Sequence, residues 1–300
     1  MILTATHMLS LGELLDTLAT RFDEADLFYG HGTDNAWDEA VYLVFCALQI
    51  PFAADEQIMS RAITPQEQQK VEALALRRLE ERLPVAYLVG EAWFAGLPFT
   101  VNDQVLIPRS PIAELIQQEF ATLLPRTPEH ILDLCTGSGC IGIATALTFE
   151  DSRVDLADIS PQALEVARAN VQRHGLESRV RVVESDLFAA LQGPYDLILS
   201  NPPYVSQQEV DELPPEYRHE PALGLLSEDD GLAIPLRILR EAADLLAPEG
   251  VLIMEVGYSR EAFSARLPGV PLLWLEFAHG GDGVLLLTRE QLRDVAQHFV

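Results

Sequence analysis

From His130 onward the chain alternates between short apolar runs and stretches of helical period, and this alternation most limits what it can fold into. His130–Leu134, Arg153–Asp158, Arg179–Glu184, Tyr195–Ser200 and Gly250–Val256 read as buried strands. Between them, Cys140–Phe149, the run from Ser160-Pro161 to about His174, Leu232–Leu246 and Ser259–Leu267 read as helices. Alternation of this kind predicts an α/β domain with a doubly wound, mostly parallel sheet. Two last apolar runs, Pro271–Phe277 and Gly283–Leu287, are joined only by a glycine-rich turn. They predict an antiparallel hairpin at the sheet's edge, for seven strands in all. A helix is expected after Thr288.

Residues 1–90 have a different texture. Leu11, Leu14, Leu15 and Leu18 share one helical face behind Ser10 and Glu13, which are spaced as a capping box. Trp37 to Leu48 is a second run of helical period. Thr64-Pro65-Gln66-Glu67 supplies an N-cap, a proline at the first helical position and an acid at the third, opening a helix to about Arg82. Within it, Arg77-Arg78 with Glu80-Glu81 reads as a solvated face. Aromatic and β-branched residues then cluster from Trp93 to Ile107 around two turn signals, the pattern of a short hairpin. The expected organisation is a helical domain over 1–90, a β-hairpin linker over 91–110 and the α/β domain over 111–300, opened by a helix from Ser110-Pro111 to about Leu124.

The turn after the first strand of the sheet carries Asp133-Leu134-Cys135-Thr136-Gly137-Ser138-Gly139, and Gly142 completes a G-x-G-x-x-G spacing. Glycines there let the backbone turn sharply and approach a ligand with no Cβ in the way. Asp158, with Ile159 beside it, ends the next strand about 20 residues on, where a carboxylate meets ribose hydroxyls. A nicotinamide dinucleotide and S-adenosylmethionine both suit this geometry. The first brings an anionic pyrophosphate, which Asp133 would repel; the second brings a cationic amino-acid tail, which Asp133 can hold. Asp186 and Leu187 end the third strand, where an acid can accept from an adenine amine and an apolar side chain can pack on the ring.

At the fourth strand end stands Asn201-Pro202-Pro203-Tyr204. An Asn side-chain oxygen and a prolyl carbonyl can each accept one N–H of a planar NH₂ group, and an aromatic ring can lie against its face. An ordinary Asn-Pro turn is the plainer alternative. Three acids at three successive strand ends, followed by this loop, favour an S-adenosylmethionine site at the carboxyl edge of the sheet.

Charge narrows the partners. The 300 residues hold 46 acids against 20 bases, a formal charge of −26, and Lys70 is the one lysine. Nucleic-acid binders need a cationic stripe to neutralise phosphates, and no basic cluster here stands clear of acids. Direct nucleic-acid binding is therefore not expected; a basic protein partner is, steered by the chain's field. No apolar stretch reaches the ~18 residues of a membrane span, and no basic leader precedes Ser10, so neither a membrane nor export is expected. Cys46, Cys135 and Cys140 match neither a zinc spacing nor a disulfide framework. They read as reduced thiols of a cytoplasmic protein with no metal. His31, His219 and His279 fall in loops and are candidates for substrate contact.

Taken together, these residues resemble a class I S-adenosylmethionine-dependent methyltransferase. Asn201-Pro202-Pro203-Tyr204 is similar to the motif of amino-methyltransferases acting on exocyclic adenine amines and on glutamine amides. With the helical N-terminal domain, the hairpin, Leu106-Ile107-Pro108-Arg109 and Glu220-Pro221-Ala222-Leu223, essentially the whole chain resembles the HemK/PrmC group of protein glutamine N(5)-methyltransferases. Ser110-Pro111-Ile112-Ala113-Glu114 replaces the Pro-Glu-Thr-Glu usual in the release-factor branch, Cys135 replaces its Gly, and Leu187 stands where a Trp often packs on adenine. Those departures, with Tyr29-Gly30-His31-Gly32-Thr33-Asp34-Asn35 and Phe277-Ala278-His279-Gly280-Gly281-Asp282-Gly283, are similar to the PrmB branch, which acts on ribosomal protein L three. The resemblance implies substrate recognition by residues 1–90. It implies S-adenosylmethionine held by Asp133, Cys135, Thr136, Gly137, Ser138, Gly139, Asp158, Ile159, Asp186, Leu187 and Asn201. It also implies methyl transfer to a glutamine amide at Asn201, Pro202, Pro203 and Tyr204 without a general base. Release-factor glutamine and exocyclic adenine amines are the alternative substrates.

Overall fold

The structure, a computed structural model, describes residues 9–296. The chain divides into two units, Met1–Glu91 with Pro214–His219, and Ala92–Leu213 with Glu220–Val300. The outer ends of the expected domains, 1–8 and 297–300, lie outside the described residues.

The first unit holds α1 (Leu11–Glu24), α2 (Ala36–Leu48), α3 (Pro65–Glu80) and α4 (Val85–Val89). Three of these start where a side chain satisfies amides that a helix's first turn leaves unpaired. Ser10 and Thr64 form capping boxes with Glu13 and Glu67, and Asn35 accepts from the Asp38 amide. α1 buries Leu11, Leu14, Leu15, Leu18 and Phe22, the face its periodicity predicts.

One expectation fails in α3. Arg77 does make an exposed pair with Glu81, but Arg78 is 1% exposed. Its Nε donates to Glu39 at 2.7 Å, its Nη1 to Glu216 at 3.2 Å and its Nη2 to the Phe28 carbonyl at 3.0 Å. Helical period explains the burial: Arg78 lies on the same face as buried Val71 and Ala75. A buried guanidinium needs acids around it, and one of them, Glu216, comes from the 3₁₀ turn Pro215–His219 far along the chain.

The chain enters the second unit within β1 (Glu91–Phe94), which pairs with β2 (Leu97–Thr100). Ala95 and Gly96 at the turn both take positive φ, the requirement of a tight hairpin. Phe94 and Phe99 are buried with Ile112, Ile116, Ile131 and Leu156, so the hairpin packs into the α/β core. α5 (Ile112–Gln117) is shorter than its pattern predicts. Glu119, Phe120 and Thr122 turn to positive φ, which ends the helix and buries Phe120 against Phe149.

There follow β3 (His130–Leu134), α6 (Cys140–Thr148), β4 (Arg153–Asp158), α7 (Pro161–Arg173), β5 (Val180–Glu184) and β6 (Tyr195–Ser200). The chain continues through α8 (Gln207–Glu212), α9 (Ala222–Leu225), α10 (Ala233–Leu245), β7 (Leu246–Glu255), α11 (Arg260–Arg266), β8 (Leu273–Trp274), β9 (Val284–Thr288) and α12 (Arg289–Asp294). Among the described residues the larger sheet has seven strands in the order β5-β4-β3-β6-β7-β9-β8. β5 to β7 run parallel, and β9 is antiparallel to both β7 and β8. Apolar strands buried on both faces are what helices on either side require. After β5 the chain crosses back to the far side of β3, so the order reverses between β3 and β6. That switch point opens a crevice at the strands' carboxyl ends. No helix of the described residues is long and apolar enough to cross a membrane.

Candidate active site

Register brings the sequence candidates to one level. Leu134 pairs with Ala157 and with Ser200, and Ser200 pairs with Met254. The next residue on each strand, Cys135, Asp158, Asn201 or Glu255, therefore stands at the carboxyl edge on either side of the switch point.

The glycine turn is tied down from below and from the side. Asp133 Oδ2 accepts from Thr136 Oγ1 at 2.5 Å and from the Gly142 amide at 2.8 Å. A Cβ on Gly142 would meet the Asp133 Cβ at 2.8 Å, so only glycine fits there. Asn170, fully buried on α7, donates to the Ser138 carbonyl at 2.9 Å and holds the far side of the turn. Gly137, at φ 55°, faces open space where a Cβ would stand. Asp133 Oδ1 is buried with no hydrogen-bond partner among the described residues. Burial pushes the Asp133 carboxyl up to about 7, against its bonds to Thr136 and Gly142. What this oxygen lacks is a hydrogen-bond donor.

Asp158 closes the next side. Oδ2 accepts from the Gly137 amide and Oδ1 from the Ser160 amide, each at 2.9 Å. Burial raises its pKa in spite of these bonds. Ile159 beside it is 51% exposed, an apolar side chain left open at the edge. Asp186 is exposed and takes a bond from Arg237 Nη1 at 2.7 Å through Oδ1. Leu187 and Phe188 are both buried in the core beneath the edge, in one cluster with Leu134 and Ala157. Between them and Ile159, Ile159 is the exposed apolar surface. Burial raises the Cys135 thiol well above its usual range, so it packs as a small apolar group and is no nucleophile.

Across the switch point, Asn201 is half-buried, and its side chain hydrogen-bonds no described residue. The loop after it is held firmly. Ser200 Oγ donates to the Leu134 carbonyl at 2.8 Å, joining this strand end to the glycine turn. Tyr204 Oη donates to Glu255 Oε1 at 3.0 Å, and Ser259 Oγ donates to the Tyr204 carbonyl at 2.9 Å. The Val205 amide donates to the Leu225 carbonyl at 2.9 Å, so the segment after Glu220-Pro221 braces the loop. Glu220 in turn takes Arg109 in a two-pronged pair, at 2.5 and 2.7 Å, and the Ile107 amide at 3.0 Å.

Sequence reasoning overlooked Glu255 and Asn170. Glu255 repeated the signal already used three times, an acid at the end of a strand; Asn170 gave none, since its partners are backbone groups remote in sequence. The histidines divide. His31 is buried with its ring 4.5 Å from Tyr217, His219 Nε2 lies 2.8 Å from the Glu81 carbonyl oxygen, and His279 is exposed in a loop whose amides bond Glu114. No group of acids, histidines or cysteines among the described residues is placed to hold a metal ion.

The family model described as Methyltransferase small domain matches residues 114–214, the stretch containing the glycine turn and the Asn-Pro-Pro-Tyr loop. Fold and edge thus define a methyltransferase of the doubly wound α/β class. Two relatives extend the likeness over nearly the whole chain. The ribosomal protein uL3 glutamine methyltransferase of Bordetella pertussis is 46% identical over 286 residues, 94% of this chain and 96% of its own. That of Francisella tularensis is 46% identical over 270 residues, 89% of this chain and 86% of its own. A methyltransferase structure from Pyrococcus furiosus matches more loosely, at 19% identity and a TM-score of 0.47 over 76% of this chain and 99% of that one. The chain belongs to the family of ribosomal protein uL3 glutamine methyltransferases.

Proposed function

We propose that this chain transfers a methyl group from S-adenosylmethionine to the side-chain amide nitrogen of a glutamine in ribosomal protein uL3, in the cytoplasm. The observation that carries the reading is Asn201. Its amide side chain has no partner among the described residues, yet it stands in a braced loop directly across the switch point from the glycine turn.

The residues present fit the cofactor. Asp133 Oδ1, buried and unpaired, suits its ammonium group, and the open face of Gly137 admits its backbone-like tail. Asp158 suits ribose hydroxyls, Ile159 offers apolar surface for the adenine, and the second oxygen of Asp186 can accept from the adenine amine. Cys135, Thr136, Ser138 and Gly139 shape the turn, and Leu187 packs beneath it. When bound, the cofactor supplies a methyl group made electrophilic by its sulfonium.

An amide nitrogen is a weak nucleophile because its lone pair is delocalised. The Asn201 side-chain oxygen and the Pro202 carbonyl each accept one of its N–H bonds, which fixes its orientation and stabilises the positive charge that develops on it. Pro203 keeps the loop rigid, and the Tyr204 ring face stabilises nearby cationic charge by about 0.5–2 kcal/mol. The proton leaves to water, so no general base is required. The strongly acidic chain suits a basic protein substrate, with residues 1–90 as its recognition domain. The test is methyl transfer from tritiated cofactor to purified uL3 by wild type and Asn201→Ala. Turnover should collapse in the variant while calorimetry shows unchanged cofactor affinity; near-wild-type turnover refutes the role of Asn201.

A further inference from the structure

Glu255 ends β7 one residue beyond the pair Ser200–Met254, level with Asn201. It is 6% exposed, and among the described residues no Arg or Lys forms an ion pair with it. Burial raises its pKa; the hydrogen bonds from Ser110 and Tyr204 and the charge of Arg109, itself engaged with Glu220, oppose that rise and favour the carboxylate. Its two oxygens instead accept from two neutral hydroxyls, Tyr204 Oη at 3.0 Å and Ser110 Oγ at 2.6 Å. Ser110 is fixed in turn, its Oγ accepting from the Ile112 amide at 3.2 Å.

A buried carboxylate without a paired cation is costly, and holding a ring in place does not require one. Gly257 already gives Tyr204 a floor, since a Cβ there would lie 2.8 Å from the ring's Cε2 and Oη. A carboxylate does something a neutral acceptor does not. It draws on the phenol proton, makes the ring face more negative, and sets a full negative charge behind the loop where cationic charge develops.

We propose that Glu255 is a positioning residue for methyl transfer, acting through the Tyr204 hydroxyl, with Ser110 holding its other oxygen so that it cannot turn away. This rests on the reading of the Asn201 loop given above. The step itself is unchanged: the nitrogen–methyl bond forms as the sulfur–methyl bond breaks, and Glu255 neither gains nor loses a proton.

The test is steady-state kinetics of the full-length chain on purified uL3, with cofactor dissociation constants by calorimetry, for Asn201→Ala, Glu255→Gln, Tyr204→Phe and the double variant of the last two. Glu255→Gln keeps the shape and removes the charge. Its kcat should fall about tenfold, with cofactor affinity and melting temperature close to wild type. Tyr204→Phe should fall as far, and the double variant no further, because both substitutions cut one link. Wild-type kcat in Glu255→Gln, or losses that multiply in the double variant, would overturn the proposal. If Glu255→Gln does not fold, Tyr204→Phe decides alone: a tenfold loss supports the link and wild-type kcat refutes it. Asn201→Ala separates the two readings. Should it retain turnover, the loop reading itself fails; should it be dead while Glu255→Gln and Tyr204→Phe are both normal, only the role of Glu255 fails.

Discussion

The glycine turn and the Asn-Pro-Pro-Tyr loop face each other across one switch point, and they are built in opposite ways. The turn is held by side chains around it: Asp133 accepts from the Thr136 hydroxyl and the Gly142 amide, Asp158 accepts from the Gly137 amide, and Asn170 donates to the Ser138 carbonyl, leaving one buried Asp133 oxygen unpaired. The loop is braced at Tyr204 and Val205 but leaves its Asn side chain open. A cradle for a cofactor that every turnover shares gains from rigidity. A grip on a substrate amide needs acceptors that the protein itself has not used.

The largest way to break this contrast is Asn201→Ala, which should lower kcat by about 100-fold or more while leaving the cofactor dissociation constant alone. Asp158→Ala should do the reverse. Loss of a charged acceptor weakens cofactor binding roughly 10- to 100-fold, read by calorimetry, with a smaller effect on kcat at saturation. A smaller effect comes from pH. Asp133 must be ionised to attract a cationic group, and burial places its free pKa at about 7. Affinity should be flat above that value and fall by about tenfold per unit below it, a slope that Asp133→Asn removes. The smallest is Ser200→Ala, which deletes the 2.8 Å bond joining the two regions and should cost about 1 kcal/mol of stability by chemical denaturation.

Much of the turn was legible in the sequence because its chemistry is local. The G-x-G-x-x-G spacing, the acid before it and the acid about 20 residues later lie within two strands of each other. The alternation that predicts the parallel sheet is equally local, and the seven strands follow it. The loop's supports were not legible. Ser110 meets Glu255 145 residues away, and Arg109 meets Glu220 111 residues away, contacts that no periodicity encodes. Residues 201–232 lack a strong apolar period, so α8, the Pro215–His219 turn and α9 went unread. Arg78 misled because a charge next to charges looks solvated; only its phase with Val71 and Ala75 betrayed the buried face.

The most direct measurement is mass spectrometry of purified uL3 after incubation with this chain and S-adenosylmethionine, with fragmentation to locate the modification. The account predicts a single added methyl on a glutamine side chain with wild type and none with Asn201→Ala. An unmodified uL3, or a methyl placed on another residue type, would contradict it.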